Sequence, residues 1–162
     1  MSARDDLLEL LLENARHTTA DLARMTDMTE EEVAAAVAAL EDEGVVRGYQ
    51  AIVDWDETDR ELVRATVELN VTLDRETSYQ DIAERIARFP QVKTLRLVSG
   101  DYDFLMEVED ESMHDVSIFI SEKVAPVPEV TQTVTHYVMT TYKDRGVTFG
   151  DGDDDDRLSV SP

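Results

Sequence analysis

The strongest constraint on the fold is a run of alternating apolar and polar residues between positions 63 and 73. Apolar side chains occupy every second position of this run: Val63, Ala65, Val67, Leu69, Val71 and Leu73. A period of two is typical of a β-strand with one covered face. The neighbouring segments must therefore supply elements that cover this face.

Five further elements are predicted after this strand. Helices are predicted from Ser78 to Pro90 and from Ser112 to Pro126, because each begins with a serine followed three residues later by aspartate and ends at a proline. Strands are predicted over 92–98, 103–108 and 130–142. The order strand, helix, strand, strand, helix, strand predicts a ferredoxin-like α+β fold, in which two helices lie on one face of a four-stranded antiparallel sheet.

The second face of such a sheet is either solvated or covered by a partner. In the last predicted strand, one face carries Thr131, Thr133, Thr135, Tyr137 and Met139, and the other carries Val130, Val134 and Val138. We expect the amphipathic threonine-bearing face to be open. It predicts a symmetric homodimer in which two sheets pack together as a dimeric α+β barrel.

Residues 1–50 predict three helices. The first spans about 5–14, the second begins at Thr18 or Thr19, and the third follows a capping box at Thr29–Glu32 and stops before Gly44. A three-residue turn separates the second helix from the third. Residues 45–54 are predicted to be extended.

Composition divides the chain into four regions. These are a helical domain (1–50), a linker (51–61), the α+β domain (62–145) and an acidic tail (146–162). The tail is rich in aspartate and has few apolar residues, so we expect it to be disordered.

The charge balance is strongly acidic, with 37 Asp and Glu residues against 15 Lys and Arg residues and a net charge of −22. Only three of the basic residues are lysines, which is typical of proteins from salt-accumulating halophiles. In molar salt the Debye length falls to about 3 Å and self-repulsion is screened. The alternative is an acidic mesophilic protein with an acidic partner-binding face.

Several classes of function are disfavoured. The chain has no cysteine and no run of about 20 apolar residues, so we expect a cytoplasmic protein without a membrane segment. The sequence lacks a His-x-x-x-His motif, a nucleophile elbow and a glycine-rich phosphate loop. We therefore expect no catalytic residues, no metal and no cofactor. His136, between Val134 and Val138, is expected to be a core histidine.

Four segments together resemble the Lrp/AsnC family of prokaryotic transcription regulators, in a haloarchaeal form. The segments are 40–49 (LEDEGVVRGY), 89–92 (FPQV), 98–104 (VSGDYDF) and 130–135 (VTQTVT). The resemblance spans residues 4–145. It implies an N-terminal winged helix-turn-helix that binds DNA and a C-terminal effector-sensing domain. It also implies assembly as dimers or octamers, with an amino acid or related metabolite bound between dimers.

The resemblance also implies the effector-binding residues. The family's Gly-x-Tyr-Asp turn falls on Gly100, Tyr102 and Asp103, where glycine exposes backbone amides to a carboxylate and Asp103 accepts from an α-ammonium group. The full candidate set is Ser99, Gly100, Asp101, Tyr102, Asp103, Thr131, Thr133 and Thr135. The alternative is an ordinary hairpin turn in which Asp103 bonds the local backbone.

The predicted DNA-binding region departs from the family pattern. The third helix has no Lys or Arg, and residues 1–50 hold four basic residues against twelve acidic ones. Two interpretations remain open: DNA binding through cation-bridged contacts in molar salt, or a metabolite-sensing oligomer that acts through a protein partner. If DNA is bound, the candidate contacts are Thr18, Thr19, Thr29, Glu30 and Arg47.

Overall fold

The computed structural model describes residues 2–150 and divides the chain into two compact units, Met1–Ala51 and Ile52–Pro162. Among the described residues, none of the helices is long and apolar enough to cross a bilayer.

The N-terminal unit contains the three predicted helices, α1 (Ala3–Glu13), α2 (Thr19–Thr26) and α3 (Glu30–Asp42). Their apolar faces meet in a small core of Leu7, Leu22 and Val33, each at most 3% exposed. The turn between α2 and α3 contains Asp27 in the left-handed conformation, with φ of 51°. This confirms the layout of helix, helix, short turn and helix.

The helices begin where the capping signals predict. Ser2, Thr18 and Thr29 each accept a hydrogen bond from the backbone N–H three residues later, and the acidic residue at that position bonds back to the cap amide. A cap of this kind contributes about 1 kcal/mol. Residues 45–54 form no strand. Residues 45 and 46 form a bend whose amides bond the Leu40 carbonyl, so the predicted extended segment is not confirmed there and no β-wing is formed.

The C-terminal unit has the predicted strand and helix order. Its main elements are β1 (Val63–Val71), α4 (Tyr79–Ala87), β2 (Val92–Leu97), β3 (Phe104–Asp110), α5 (Met113–Phe119) and β4 (Val130–Tyr137). The antiparallel sheet has the order β2-β3-β1-β4, so β1 is bonded on both sides while β2 and β4 are edges. The ferredoxin-like α+β fold is confirmed.

One core fills the space between the sheet and its helices. It combines alternate residues of β1 and β3 with Ile82 and Ile86 of α4 and Val116 of α5. A π-helical turn, Ile120–Val124, extends α5 and adds Val124 to the same core. Only one face of the sheet is covered in this way.

The prediction for the faces of the last strand is wrong. Thr133, Thr135 and Tyr137 lie opposite Leu69, Val67 and Ala65, which are fully buried under the helices. The threonine-bearing face is therefore the covered face, and Gln132, Val134 and His136 point to the open side. The strand also ends at Tyr137 rather than at 142.

A short hairpin follows the sheet. Its strands are β5 (Lys143–Asp144) and β6 (Val147–Thr148), joined by a turn in which Arg145 and Gly146 both have positive φ. Residues 146–148, assigned above to the disordered tail, thus belong to an ordered hairpin. Residues 151–162 of that tail lie outside the described residues.

Candidate effector and DNA-binding sites

The bend that joins β2 to β3, Ser99–Asp103, is held against the end of β1. The Asp103 amide donates to the Leu69 carbonyl at 2.9 Å, and the Asp103 carboxylate Oδ2 accepts from the Val71 amide at 2.9 Å. Gly100 has φ of 125° and is exposed, with open space where a Cβ would lie. The bend thus presents its backbone to solvent while Asp103 fixes its position.

The Asp103 side chain bonds the backbone of a neighbouring strand rather than the local backbone of its own turn. One carboxylate oxygen bonds the backbone across to β1, as an ordinary structural residue would. Val71 is also the residue of β1 at which the register with β4 shifts. The second oxygen, Oδ1, makes no hydrogen bond to another described residue, so it remains able to accept one from a ligand.

The predicted threonines occupy the neighbouring edge strand. Thr133 lies opposite Leu69, and the Thr131 hydroxyl donates to the Asn70 carbonyl at 3.1 Å. Thr135 lies opposite Val67, about 7 Å farther along the strand. The structure therefore brings Thr131 and Thr133, but not Thr135, to the end of the sheet where the bend lies.

Leu69 separates the two halves of this site. It pairs with Phe104, directly after the bend, and with Thr133 on the other side. Two strand spacings amount to about 10 Å. One small ligand can therefore span both halves only if it crosses the end of β1.

An apolar surface beside the bend is absent from the predicted set. Leu97, the last residue of β2, pairs with Phe104 and is 56% exposed. The Phe104 ring meets Tyr79 edge-on at 5.9 Å between centroids. The sequence signal was the position of Leu97 at the end of its strand, two residues before the bend.

The open face of the sheet carries charged residues in pairs. Arg64 donates to Glu109 at 2.7 Å and lies 3.5 Å from Asp144 of the hairpin. His136 bonds Glu68, and its side chain is 58% exposed. His136 is therefore not the core histidine that was expected.

The predicted DNA contacts Thr18 and Thr29 are the N-caps of α2 and α3. The Thr18 hydroxyl bonds the Asp21 carboxylate at 2.7 Å, and the Thr29 hydroxyl bonds Glu32 at 3.0 Å. The hydroxyl and amide of Thr18, together with Arg24, lower the pKa of Asp21 from 3.8 to about 2. Both hydroxyls are thus exposed but already engaged in capping.

The other three predicted contacts make no side-chain hydrogen bond within the described residues. Thr19 and Glu30 are exposed in the first turns of α2 and α3. Arg47 is exposed just beyond α3, with its guanidinium near Gly44. These positions are free to meet a partner.

Two of the four arginines of the N-terminal unit are held by its own carboxylates. Arg4 forms an ion pair with Glu43, and Arg24 forms one with Asp21. Arg16 and Arg47 form no ion pair with another described residue. The exposed surface of α3 consists of acidic residues and alanines: Glu30, Glu31, Glu32, Ala34, Ala35, Ala38, Glu41 and Asp42.

Two protein families match the chain. Residues 64–148 match the Lrp/AsnC ligand binding domain, and residues 6–47 match a winged helix-turn-helix DNA-binding domain. The two matches fall within the two structural units, one in each.

A relative of similar sequence supports the same assignment, and two solved structures share the fold. The uncharacterised HTH-type transcriptional regulator YugG of Bacillus subtilis is 38% identical over 158 residues, covering 97% of this chain and 95% of its own. The structure of a Neisseria meningitidis transcriptional regulator in complex with L-methionine matches with a TM-score of 0.71, 19% identity and coverage of 93% and 96%. Escherichia coli AsnC matches with a TM-score of 0.67, 18% identity and coverage of 90% and 95%. The chain therefore belongs to the Lrp/AsnC family of helix-turn-helix transcriptional regulators.

Proposed function

We propose that this DNA-binding regulator responds to an amino acid held at the end of the sheet, between the Ser99–Asp103 bend and the start of β4. The observation that carries the proposal is the exposed, left-handed Gly100 next to an Asp103 that is fixed to β1 and has one free oxygen. The structural relative from Neisseria meningitidis, described as a complex with L-methionine, supports the ligand class.

The chemistry of the bend suits a zwitterion. Backbone amides around Gly100 offer donors to an α-carboxylate, and Asp103 Oδ1 offers an acceptor to an α-ammonium group. Ser99, Asp101 and Tyr102 belong to the same bend, and Thr131 and Thr133 would add neutral hydroxyls across β1. Thr135, one step farther along, is assigned a supporting role only.

Calorimetry against the twenty amino acids tests this site. Asp103→Asn keeps an acceptor for the Val71 amide but removes the charge that an ammonium group requires. We expect the variant to bind at least about tenfold more weakly, the size of a lost charge-assisted hydrogen bond. The matched control is Glu111→Gln, because Glu111 is exposed and follows the opposite end of β3. Equal binding by Asp103→Asn and the parent protein would remove Asp103 from the site.

We also propose that the protein acts in the cytoplasm as a homodimer or as an octamer built from dimers. The open face of the sheet lies between two edge strands, and it presents Leu105 and Val134 among paired charges. A second copy would cover these apolar side chains.

Sedimentation velocity tests this assembly. Val134→Asp should shift the sedimentation coefficient towards that of the monomer, while Glu84→Gln, at an exposed position of α4, should not. A monomeric parent protein would contradict the proposal.

A second candidate function is a metabolite-sensing oligomer that acts through a protein partner without touching DNA. The acidic, alanine-rich surface of α3 favours it, because phosphate contacts ordinarily require Lys or Arg. A gel shift in about 2 M KCl, with DNA from upstream of the gene, separates the two functions. Retardation supports the regulator, whose contacts would include Thr18, Thr19, Thr29, Glu30 and Arg47. A lack of retardation at every salt concentration supports the second function.

The halophilic, haloarchaeal origin remains part of this proposal. It rests on the net charge of −22 and the scarcity of lysine. The change in melting temperature with KCl concentration tests it.

A further inference from the structure

The recognition helix of this protein would bring negative charge to a polyanion. In helix-turn-helix proteins the second helix of the motif enters the major groove, with its N-terminal residues nearest the base edges. In this chain that helix is α3, whose first turn is Glu30, Glu31 and Glu32. The described part of α3 contains no basic residue that could offset them.

The flanking arginines offset little of this charge. Arg4 and Arg24 are neutralised by Glu43 and Asp21, so their positive charge is already used within the unit. Of the basic residues in the N-terminal unit, this leaves Arg16 and Arg47 for phosphates. A complex made by this surface would therefore contain more negative charge than the protein can balance.

Protonation of the capping carboxylates does not readily remove this negative charge. The amide and hydroxyl of Thr29 lower the pKa of Glu32, and those of Thr18 lower the pKa of Asp21. A lowered pKa favours the ionised form of both carboxylates. Cations from solution are the remaining source of positive charge.

We propose that this protein takes up cations when it binds DNA, so that its affinity for DNA rises with KCl concentration. Cationic DNA-binding surfaces behave in the opposite way, because each phosphate contact releases condensed counterions and log K falls as log salt rises. Here hydrated potassium ions enter the gap between the carboxylates of α3 and the phosphates. This inference rests on the DNA binding proposed above.

Fluorescence anisotropy with the full chain and a labelled duplex tests the inference. The duplex carries the region upstream of the gene, and a scrambled duplex of equal length serves as the non-specific reference. The titration runs from about 0.3 to 3 M KCl. Far-UV circular dichroism is recorded at each concentration, and only concentrations at which the helices are formed are used. We expect the affinity to rise about tenfold or more over this range, a slope of about +1 or steeper in log K against log salt.

A charge-neutral variant of α3 links the slope to named residues. Glu30 and Glu31 take no part in the capping box, so Glu30→Gln with Glu31→Gln should leave the fold intact and lower the slope by about one to two. Glu9→Gln with Glu13→Gln on α1 removes the same charge from another exposed face and should change the slope less.

The outcomes separate the inference from the function on which it rests. Affinity that falls with salt, or a slope that the α3 variant leaves unchanged, would overturn the inference while preserving DNA binding. Absence of binding at every salt concentration would overturn both.

Discussion

At the start of α2, one threonine sets the ionisation of one carboxylate. The Thr18 hydroxyl, then its amide, then Arg24 hold the pKa of Asp21 at about 2, below its ordinary value of 3.8. A carboxylate whose pKa is lower in the folded state favours folding above its unfolded pKa of about 4. That contribution is lost as the pH falls from about 4 through 2.

Removing the hydroxyl should therefore change a measurable pKa. In Thr18→Ala we expect the pKa of Asp21 to rise from about 2 towards 3.8, because the largest stabilising hydrogen bond of the carboxylate is gone. NMR titration of the side-chain carboxyl carbon measures it. Thr19→Ala removes an adjacent hydroxyl that does not bond Asp21 and should leave the pKa at about 2. Equal values in both variants would contradict the assignment.

Asp103 has a structural role that can be measured without a ligand. Its Oδ2 is the acceptor for the amide of Val71, the last residue of β1. Asp103→Ala leaves this half-buried N–H without a partner and should lower the free energy of unfolding by about 1–3 kcal/mol. Urea denaturation checks the value. Asp101→Ala, at an exposed position of the same bend, should stay within about 0.5 kcal/mol of the parent protein.

At the scale of elements, the helix boundaries were predictable because their signals are local. Ser78 and Asp81 start α4 with the expected capping box, and Ser112 with Asp115 starts α5. These signals need only the chain's own backbone over one turn. Tertiary packing has little room to override them.

The C-terminus of α3 provides a matched pair of glycines. Gly44 has φ of +70° after α3, whereas Gly48 has no positive φ, and no atom lies within 4 Å of its ideal Cβ position. Gly44→Ala should lower the free energy of unfolding by about 1–2 kcal/mol, because a Cβ is strained in the left-handed region. Gly48→Ala should be neutral or slightly stabilising. Thermal unfolding followed by circular dichroism compares them, and similar losses in both would contradict the role of Gly44.

The faces of β4 could not be predicted from its own sequence. Both faces of this strand mix apolar and polar residues, and as an edge strand it is only partly covered by helices. The pairing of β4 with β1 decides which face is covered, because it places Thr135 beside buried Val67. Thr133 and Thr135 are half-buried, while Val134 is exposed. Pairing of residues about 68 positions apart leaves no local signal.

At the scale of the whole molecule, the sequence predicted the order of the strands around the candidate site but not the contacts among them. The bend and Thr133 do flank Leu69, as the order of strands required. The bond from Asp103 to Val71 and the exposed Leu97 depend on how three strands meet. The hairpin at 143–148 was missed because strands of two residues carry no periodic pattern.

The net charge of −22 predicts stability that depends on salt. Screening of repulsion among 37 acidic residues should raise the melting temperature by about 5 °C or more between 0.1 and 3 M KCl, which for a protein of this size corresponds to at least about 1 kcal/mol. Thermal unfolding followed by circular dichroism measures the change. Sucrose at matched water activity is the uncharged control and should give a smaller increase. A melting temperature indifferent to KCl would count against the halophilic origin.

The recurrent pairing at helix starts has a practical consequence for redesigning this chain. Asp5, Asp21, Glu32, Asp81 and Asp115 each bond the serine or threonine that begins a helix. A version engineered for dilute buffer, with acidic residues exchanged wholesale for amides or lysines, should therefore retain these five positions. Neutralising the remaining carboxylates would relieve repulsion. Neutralising the five capping carboxylates would also destabilise the first turn of every α-helix in the described part of the chain.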